Sequence, residues 1–169
     1  PNIMAFNVAS FAVIRSGMVQ VNVNPLYTPR ELKHQLNDAG VETIIIAAMV
    51  TPTLAAIIGE TDVKNVITVR IGDLIEAPVP PADVASGLGN TVALSDALAL
   101  GADLSFERPE ISQDDLLFLQ YTGGTTGLSK GAMLTHGNLA SNMAVYDWLA
   151  GEITIEGEEI IVTPVPMYH

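Results

Sequence analysis

A continuous run of apolar and β-branched residues at positions 43–48 constrains the fold more than any other feature of the chain. Such a run is typical of a buried strand in a parallel sheet, where side chains on both faces are covered. Parallel strands need crossover connections, which are usually helices. The sequence therefore predicts alternating strands and helices.

A helix with clear end signals precedes this run. Thr28 is suited to cap it, Pro29 to occupy its first position, and Glu31 to complete a capping box with Thr28. Its buried side is predicted to consist of Leu32, Leu36 and Ala39, and Gly40 ends it. This segment gives the most complete helix prediction in the chain.

The same alternation continues along the sequence. We predict further strands at 18–23, 65–69, 116–121 and 160–165, an extended segment at 131–134, and helices at 2–16, 51–58, 95–100 and 136–150. The last helix is expected to turn Leu139, Met143 and Tyr146 inward. Residues 1–70 form a first βα half, residues 71–112 a variable connecting loop, and residues 113–169 a second half. The predicted fold class is α/β, with mostly parallel sheets and flanking helices.

Composition narrows the class of protein. Hydrophobic residues make up 49% of the 169 residues and charged residues only 15%, against about 25% charged in an average soluble domain. We therefore expect a fragment of a larger protein, whose other parts cover apolar surface. The net charge of −12 argues against nucleic acid as a partner. The absence of cysteine excludes disulfides and fits a reducing cytoplasm.

A glycine- and hydroxyl-rich loop follows the predicted strand at 116–121. Glycines let backbone N–H groups approach an anion closely, hydroxyls add donors, and lysine adds a compact positive charge. Lys130 is the only Lys or Arg between positions 109 and 169, where eight acidic residues stand. The alternative interpretation is a flexible connector with a solvated lysine. We predict a phosphate-binding loop formed by Thr122, Gly123, Gly124, Thr125, Thr126, Gly127, Ser129 and Lys130.

The spacing of the loop excludes two common nucleotide motifs. A Walker A loop needs glycine directly before the lysine and Ser or Thr directly after it, whereas Lys130 stands between Ser129 and Gly131. The Rossmann pattern G-x-G-x-x-G cannot be placed on Gly123 or Gly124 either.

The order of residues 121–131 resembles the phosphate-binding signature of the acyl-adenylate-forming, AMP-binding superfamily. The sequence departs from that signature at Ser129, where proline is commoner, and we expect this to loosen the loop without removing a ligand. Residues 21–32, 132–139 and 166–169 look like the bacterial long-chain fatty-acid–CoA ligase branch. The resemblance implies a fragment of the large N-terminal domain of such an enzyme.

The resemblance also implies a reaction and its participants. A fatty acid would react with ATP to give acyl-adenylate and pyrophosphate, and coenzyme A would then displace AMP, with Mg²⁺ bridging the ATP phosphates. Lys130 and His169 are implied to be catalytic, at the departing phosphates and at the substrate carboxylate, and no metal ligand is implied in this chain. Because the motifs for adenine and ribose and the C-terminal domain are missing, we expect the fragment to be inactive alone.

Other interpretations stay open at this point. Adenylation domains and aryl-CoA ligases share the loop, and a non-catalytic module that binds phosphate or nucleotide, or supplies an assembly surface, belongs to a different class. The expected location is the cytoplasm, and the resemblance leaves open peripheral contact with the inner membrane face and a homodimer. Two histidines are assigned no function: His136 is expected at the start of a helix and His34 to be solvated.

Overall fold

The computed structural model describes residues 2–75, 79–80, 82–123, 128–151, 153–155, 157–160, 162 and 164–168. Its helices are α1 Met4–Arg15, α2 Pro29–Asp38, α3 Thr51–Ala55, α4 Leu94–Gly101 and α5 His136–Ala150. Its strands are β1 Gln20–Val21, β2 Thr43–Ala47, β3 Asn65–Val69, β4 Asn90–Ala93, β5 Leu116–Thr122 and β6 Lys130–Thr135. Short 3-10 turns at Ala48–Val50 and Ile58–Glu60 flank α3.

The first half of the chain forms a parallel sheet in the order β2-β3-β4. Leu32 and Leu36 of α2 pack in one cluster with Ile44, Ile46 and Leu54, where Leu54 is fully buried. Burial of these apolar side chains stabilises the packing of α2 against the sheet.

The second sheet has the order β1-β5-β6, with β1 parallel to β5 and β5 antiparallel to β6. The α/β prediction is thus confirmed, and the antiparallel pair is a hairpin that carries the glycine loop at its tip. Its position follows from the sequence, because the loop lies between the two strands.

Helix α2 begins as predicted. The backbone N–H and the hydroxyl of Thr28 donate to Glu31 Oε2 over 2.8 and 2.7 Å, and the Glu31 N–H is 3.4 Å from Thr28 Oγ1. Gln35 is buried beside Leu32 and Leu36, and its Nε2 donates to the Asn22 carbonyl over 2.7 Å. A buried amide at this position was not predicted.

Two features of the parallel sheet differ from the sequence predictions. Strand β4 lies inside the segment assigned to the connecting loop and pairs with β3, which its mixture of Asn, Thr and Ala did not indicate. Strand β2 is parallel, but Ile45 is 36% exposed whereas Ile44 and Ile46 are buried. Ile45 lies in the lining of a broad apolar cavity to which residues of α1 and of both sheets also contribute.

Helix α5 has the predicted bounds, and Thr135 forms a capping box with Asn138. The prediction that one face is buried is wrong for the chain as it stands. Leu139, Met143 and Tyr146 are 37%, 62% and 58% exposed. No element within the described part of the chain covers this face.

The strand predicted at 160–165 is also not found. Ile160 and Val162 are 92% and 83% exposed and lie outside any strand. Positions 161 and 163 lie outside the described residues. The described residues of this run, 160, 162, 164 and 165, belong to no strand, so no neighbouring strand pairs with their N–H and C=O groups.

Among the residues that the structure describes, no helix is long and apolar enough to cross a membrane.

Candidate functional site

The base of the glycine loop is closed by strand pairing. Thr122 at the end of β5 lies opposite Lys130 at the start of β6, and Tyr121 lies opposite Gly131. Antiparallel partners lie about 5 Å apart between Cα atoms. The hairpin therefore brings a hydroxyl and an ammonium group to neighbouring positions, both exposed.

The structure describes four of the predicted loop residues, namely Thr122, Gly123, Ser129 and Lys130. The predictions for Gly124, Thr125, Thr126, Gly127 and His169 lie outside the described residues. Their roles stay predictions.

Tyr121 packs tightly beneath the loop. Its side chain is buried, and a Cβ atom added at Gly131 would lie 3.0 Å from Tyr121 Cε2. The Tyr121 hydroxyl donates to Asp38 Oδ2 of α2 over 2.5 Å. Burial, then the hydrogen bond to Asp38 and its negative charge, raise the pKa of Tyr121 well above its ordinary value. The phenol therefore keeps its proton and remains a donor.

Ser129, on the other arm of the loop, also contacts α2. His34 Nε2 lies 3.0 Å from the Ser129 carbonyl oxygen, and because a carbonyl only accepts, the histidine is the donor. The prediction that His34 is solvated is wrong, since the residue is half-buried and its ring contacts the Ser129 carbonyl. Tyr27 lies nearby: burial and then the charge of Glu31 raise its pKa, and a side-chain hydrogen bond from Ser129 opposes the rise.

Two side-chain amides hold the segment before His169, one from β5 and one from the residues that precede α1. Gln120 Nε2 of β5 donates to the Tyr168 carbonyl over 2.9 Å. Asn2 Nδ2 donates to the Val165 carbonyl, and the Met167 N–H donates to Asn2 Oδ1, each over 2.9 Å. The chain therefore reaches position 168 beside β5, two residues along the strand from Thr122.

The charges around the loop suit an anion. In the described part of the chain, Lys33 and Lys64 form ion pairs with Glu60 and Glu42, whereas Lys130 forms none. An unpaired ammonium beside exposed backbone and hydroxyl donors can bind phosphate oxygens. No group of three or more His, Asp or Glu side chains suited to a metal ion occurs among the residues that the structure describes.

Sequence reasoning missed the two α2 side chains at the loop. His34 and Asp38 are one turn apart and so share a helix face, which was a usable signal. The partner of His34, however, is 95 positions away along the chain, and the partner of Asp38 is 83 positions away. Nothing in the local pattern of α2 identifies contacts at that separation. His136, by contrast, lies at the start of α5 as predicted, and its N–H donates to the Asp115 carbonyl over 3.0 Å.

Comparison with known proteins agrees with the observed geometry. The family model described as "AMP-binding enzyme" matches residues 1–169. The long-chain-fatty-acid–CoA ligase of Salmonella typhimurium is 41% identical over 184 aligned residues, which cover 100% of this chain and 32% of that protein.

Two solved structures are also similar. The crystal structure of a long-chain-fatty-acid–CoA ligase from Archaeoglobus fulgidus matches 89% of this chain and 27% of its own, with a TM-score of 0.70 and 30% identity. The ATP-bound RpMatB-BxBclM chimera B1 matches 96% of this chain and 28% of its own, with a TM-score of 0.71 and 30% identity. The chain thus spans about a third of the length of the curated relatives it matches.

Proposed function

The chain belongs to the AMP-binding enzyme family, and from that premise we propose that it carries the ATP phosphate-binding loop of a long-chain fatty acyl-CoA ligase. The names of the Salmonella and Archaeoglobus proteins support the acyl-CoA ligase activity and the long-chain substrate. The ATP-bound state of the similar chimera supports the nucleotide.

The proposed reaction has two steps. A carboxylate oxygen of the fatty acid attacks the α-phosphate of ATP, the bond to the β-phosphate breaks, and pyrophosphate leaves. The thiol of coenzyme A then attacks the acyl carbon of the adenylate, and AMP leaves as the thioester forms. Binding at the departing phosphates contributes by positioning and by charge stabilisation.

Lys130 and the loop residues act on the departing phosphates in this proposal. Lys130 contributes a positive charge, and Thr122 to Ser129 contribute hydroxyl and backbone N–H donors. His169 is proposed to act beside the substrate carboxylate, where a donor steadies negative charge. The described residues that precede it, 165–168, are attached to β5 and Asn2.

One observation carries the proposal: the hairpin pairs Thr122 with Lys130 and leaves the ammonium free of carboxylate partners among the described residues. A passive connector would have no reason to keep the region's sole cation unpaired beside a glycine loop.

Mg²⁺ is the expected companion of the nucleotide. The hydroxyls of Thr122 and Ser129 are hard oxygen donors, and such donors suit Mg²⁺ that is already bound to the phosphate oxygens of ATP. Bound Mg²⁺ would neutralise phosphate charge. Lys130 would share that task, and the loop would orient the phosphates by its own hydrogen bonds.

The experiment uses a full-length ligase that carries this sequence and measures fatty-acid-dependent ATP–pyrophosphate exchange. Replacing Lys130 with alanine removes a charge-assisted contact, so we expect exchange to fall by roughly 10- to 100-fold. The matched control is Lys64→Ala, which removes an exposed lysine paired with Glu42. Unchanged exchange in Lys130→Ala would contradict the proposed role.

Two alternatives are separated by further assays. An adenylation or aryl-CoA ligase would prefer another carboxylic acid in a substrate panel tested on the full-length enzyme. A non-catalytic module would bind ATP or pyrophosphate, and binding would slow amide hydrogen exchange at residues 128–131. It would catalyse no ATP–pyrophosphate exchange with any carboxylic acid.

The proposed substrates also suggest a location. ATP and coenzyme A are cytoplasmic metabolites, and long acyl chains partition into bilayers, so the proposal places the enzyme in the cytoplasm with peripheral contact at the inner membrane face. A homodimer stays a prediction.

A further inference from the structure

Helix α2 contacts both arms of the proposed phosphate loop from a single face. Asp38 accepts a hydrogen bond from Tyr121 on β5, one residue before Thr122. His34 donates to the carbonyl of Ser129, one residue before Lys130. The two anchors are one helical turn apart, about 6 Å along the axis, and they contact β5 at Tyr121 and the residue directly before β6, Ser129.

Helix α2 is itself held in place by other residues. Leu32 and Leu36 are buried in the core of the β2-β3-β4 sheet, and Gln35 donates to the Asn22 carbonyl. Asn37 Nδ2 donates to the Glu60 carbonyl over 3.0 Å. The helix therefore has a fixed position that does not depend on His34 or Asp38.

His34 and Asp38 contribute little to this packing. Asp38 is exposed and His34 is half-buried, and neither belongs to the apolar cluster. Among the described residues, the hydrogen bonds of their side chains go to Ser129 and Tyr121, beside the loop. Side chains on a rigid element that fix a binding loop are the usual means of holding a site in its productive geometry.

We propose that α2 is a clamp for the phosphate loop, with His34 and Asp38 as positioning residues that hold Ser129 and Tyr121 on its two arms and thereby set its affinity for the β- and γ-phosphates of ATP. This inference rests on the proposed function. Neither residue touches the nucleotide: Asp38 acts through Tyr121, and His34 acts through the backbone of Ser129.

The clamp makes a specific kinetic prediction. Without one anchor the loop samples more conformations. The ground state and the transition state then lose phosphate contacts to the same extent. Such a uniform loss of binding raises KM and leaves kcat unchanged. In a full-length ligase carrying this sequence, we expect His34→Ala or Asp38→Ala to raise the KM for ATP roughly three- to tenfold. The values of kcat and of KM for fatty acid and coenzyme A should change less than about twofold.

Conservative variants and a control complete the test. His34→Gln keeps an N–H donor and Asp38→Asn keeps an acceptor, so each should restore the KM for ATP towards the wild-type value. Arg30→Ala removes an exposed side chain at the start of the same helix and should behave as wild type. An unchanged KM in both alanine variants, an equal rise in Arg30→Ala, or a fall in kcat alone would overturn the clamp.

A second measurement separates this inference from the proposed function. Hydrogen exchange of a full-length ligase that carries this sequence should be faster at residues 128–131 in His34→Ala than in Arg30→Ala, with no nucleotide present. If wild-type full-length protein shows no fatty-acid-dependent exchange with pyrophosphate, the proposed function fails, and hydrogen exchange still tests the clamp. Equal hydrogen exchange in both variants would overturn the clamp and leave the proposed function standing.

Discussion

At the scale of single residues, the contact between Tyr121 and Gly131 decides how the base of the loop is built. The ring lies over the glycine of the opposite strand, and its hydroxyl is held by Asp38. Cross-strand partners in an antiparallel pair interact directly. A buried ring that is fixed at both ends has little freedom to move aside for a larger neighbour.

Replacing Gly131 with alanine is therefore expected to destabilise the chain by about 1–3 kcal/mol, because the new Cβ would crowd the ring. The matched control is Gly123→Ala, since nothing lies within 4 Å of a Cβ added there. Urea unfolding of the 169-residue chain measures both. Equal stability of the two variants would show that Tyr121 can shift without cost.

At the scale of elements, α2 links the two sheets. Its N-terminus is closed by the Thr28–Glu31 capping box, its middle packs in the core, and its last turn reaches the loop. Capping residues satisfy N–H groups that have no partner within the helix. The sequence signals that begin the helix therefore also fix the position of its far end.

The capping box should make the stability of the chain depend on pH in the acidic range. Hydrogen bonds from the side chain and backbone of Thr28 lower the pKa of Glu31 below its ordinary value of 4.5. A lowered folded-state pKa means that the contribution is present above pH 4.5 and is lost as the pH falls through the folded value.

Unfolding free energies measured from about pH 6 to about pH 3 test this prediction. As the pH falls, the free energy of unfolding should decrease less in Glu31→Gln than in the wild-type chain. In Glu110→Gln, which changes an exposed residue, it should decrease as much as in the wild-type chain. Identical pH profiles for the wild-type chain and Glu31→Gln would rule out a contribution from the capping box.

At the scale of the whole molecule, α5 and the segment at 157–160 leave a large apolar surface uncovered. Met143, Tyr146 and Trp148 of α5 and Ile160 are all more than half exposed. Exposed apolar patches of this kind mark surfaces that contact other protein. The chain spans 32% of its Salmonella relative, so the additional length of such proteins is the natural candidate for this cover.

The 169-residue chain alone is expected to show no fatty-acid-dependent ATP–pyrophosphate exchange. In the proposed function the loop would bind only the phosphates, whereas catalysis needs the acyl, adenine and ribose groups positioned together. Addition of labelled pyrophosphate, ATP and a long-chain fatty acid to the purified chain tests this directly. Exchange at the rate of a complete ligase would mean that 169 residues suffice.

Most of the secondary structure was predictable because its signals are local. The capping box of α2, the bounds of β3 and the start and end of α5 each depend on residues within one or two turns of each other. The phosphate-binding loop and Lys130 were also predicted from local order alone, and their role stays a prediction. Burial was less predictable. The apolar face of α5 indicates that another surface packs against it, but the sequence of α5 does not show whether this chain contains that surface.

Local sequence patterns were enough to predict the α/β alternation, the extended segments on either side of the loop, and the resemblance to the family. Only the tertiary structure decided that His34 and Asp38 meet that loop, and that β4 joins the first sheet. Periodicity and capping are set by neighbours along the chain, whereas a hydrogen bond between residues 83 or 95 positions apart exists only once two sheets and a helix have packed.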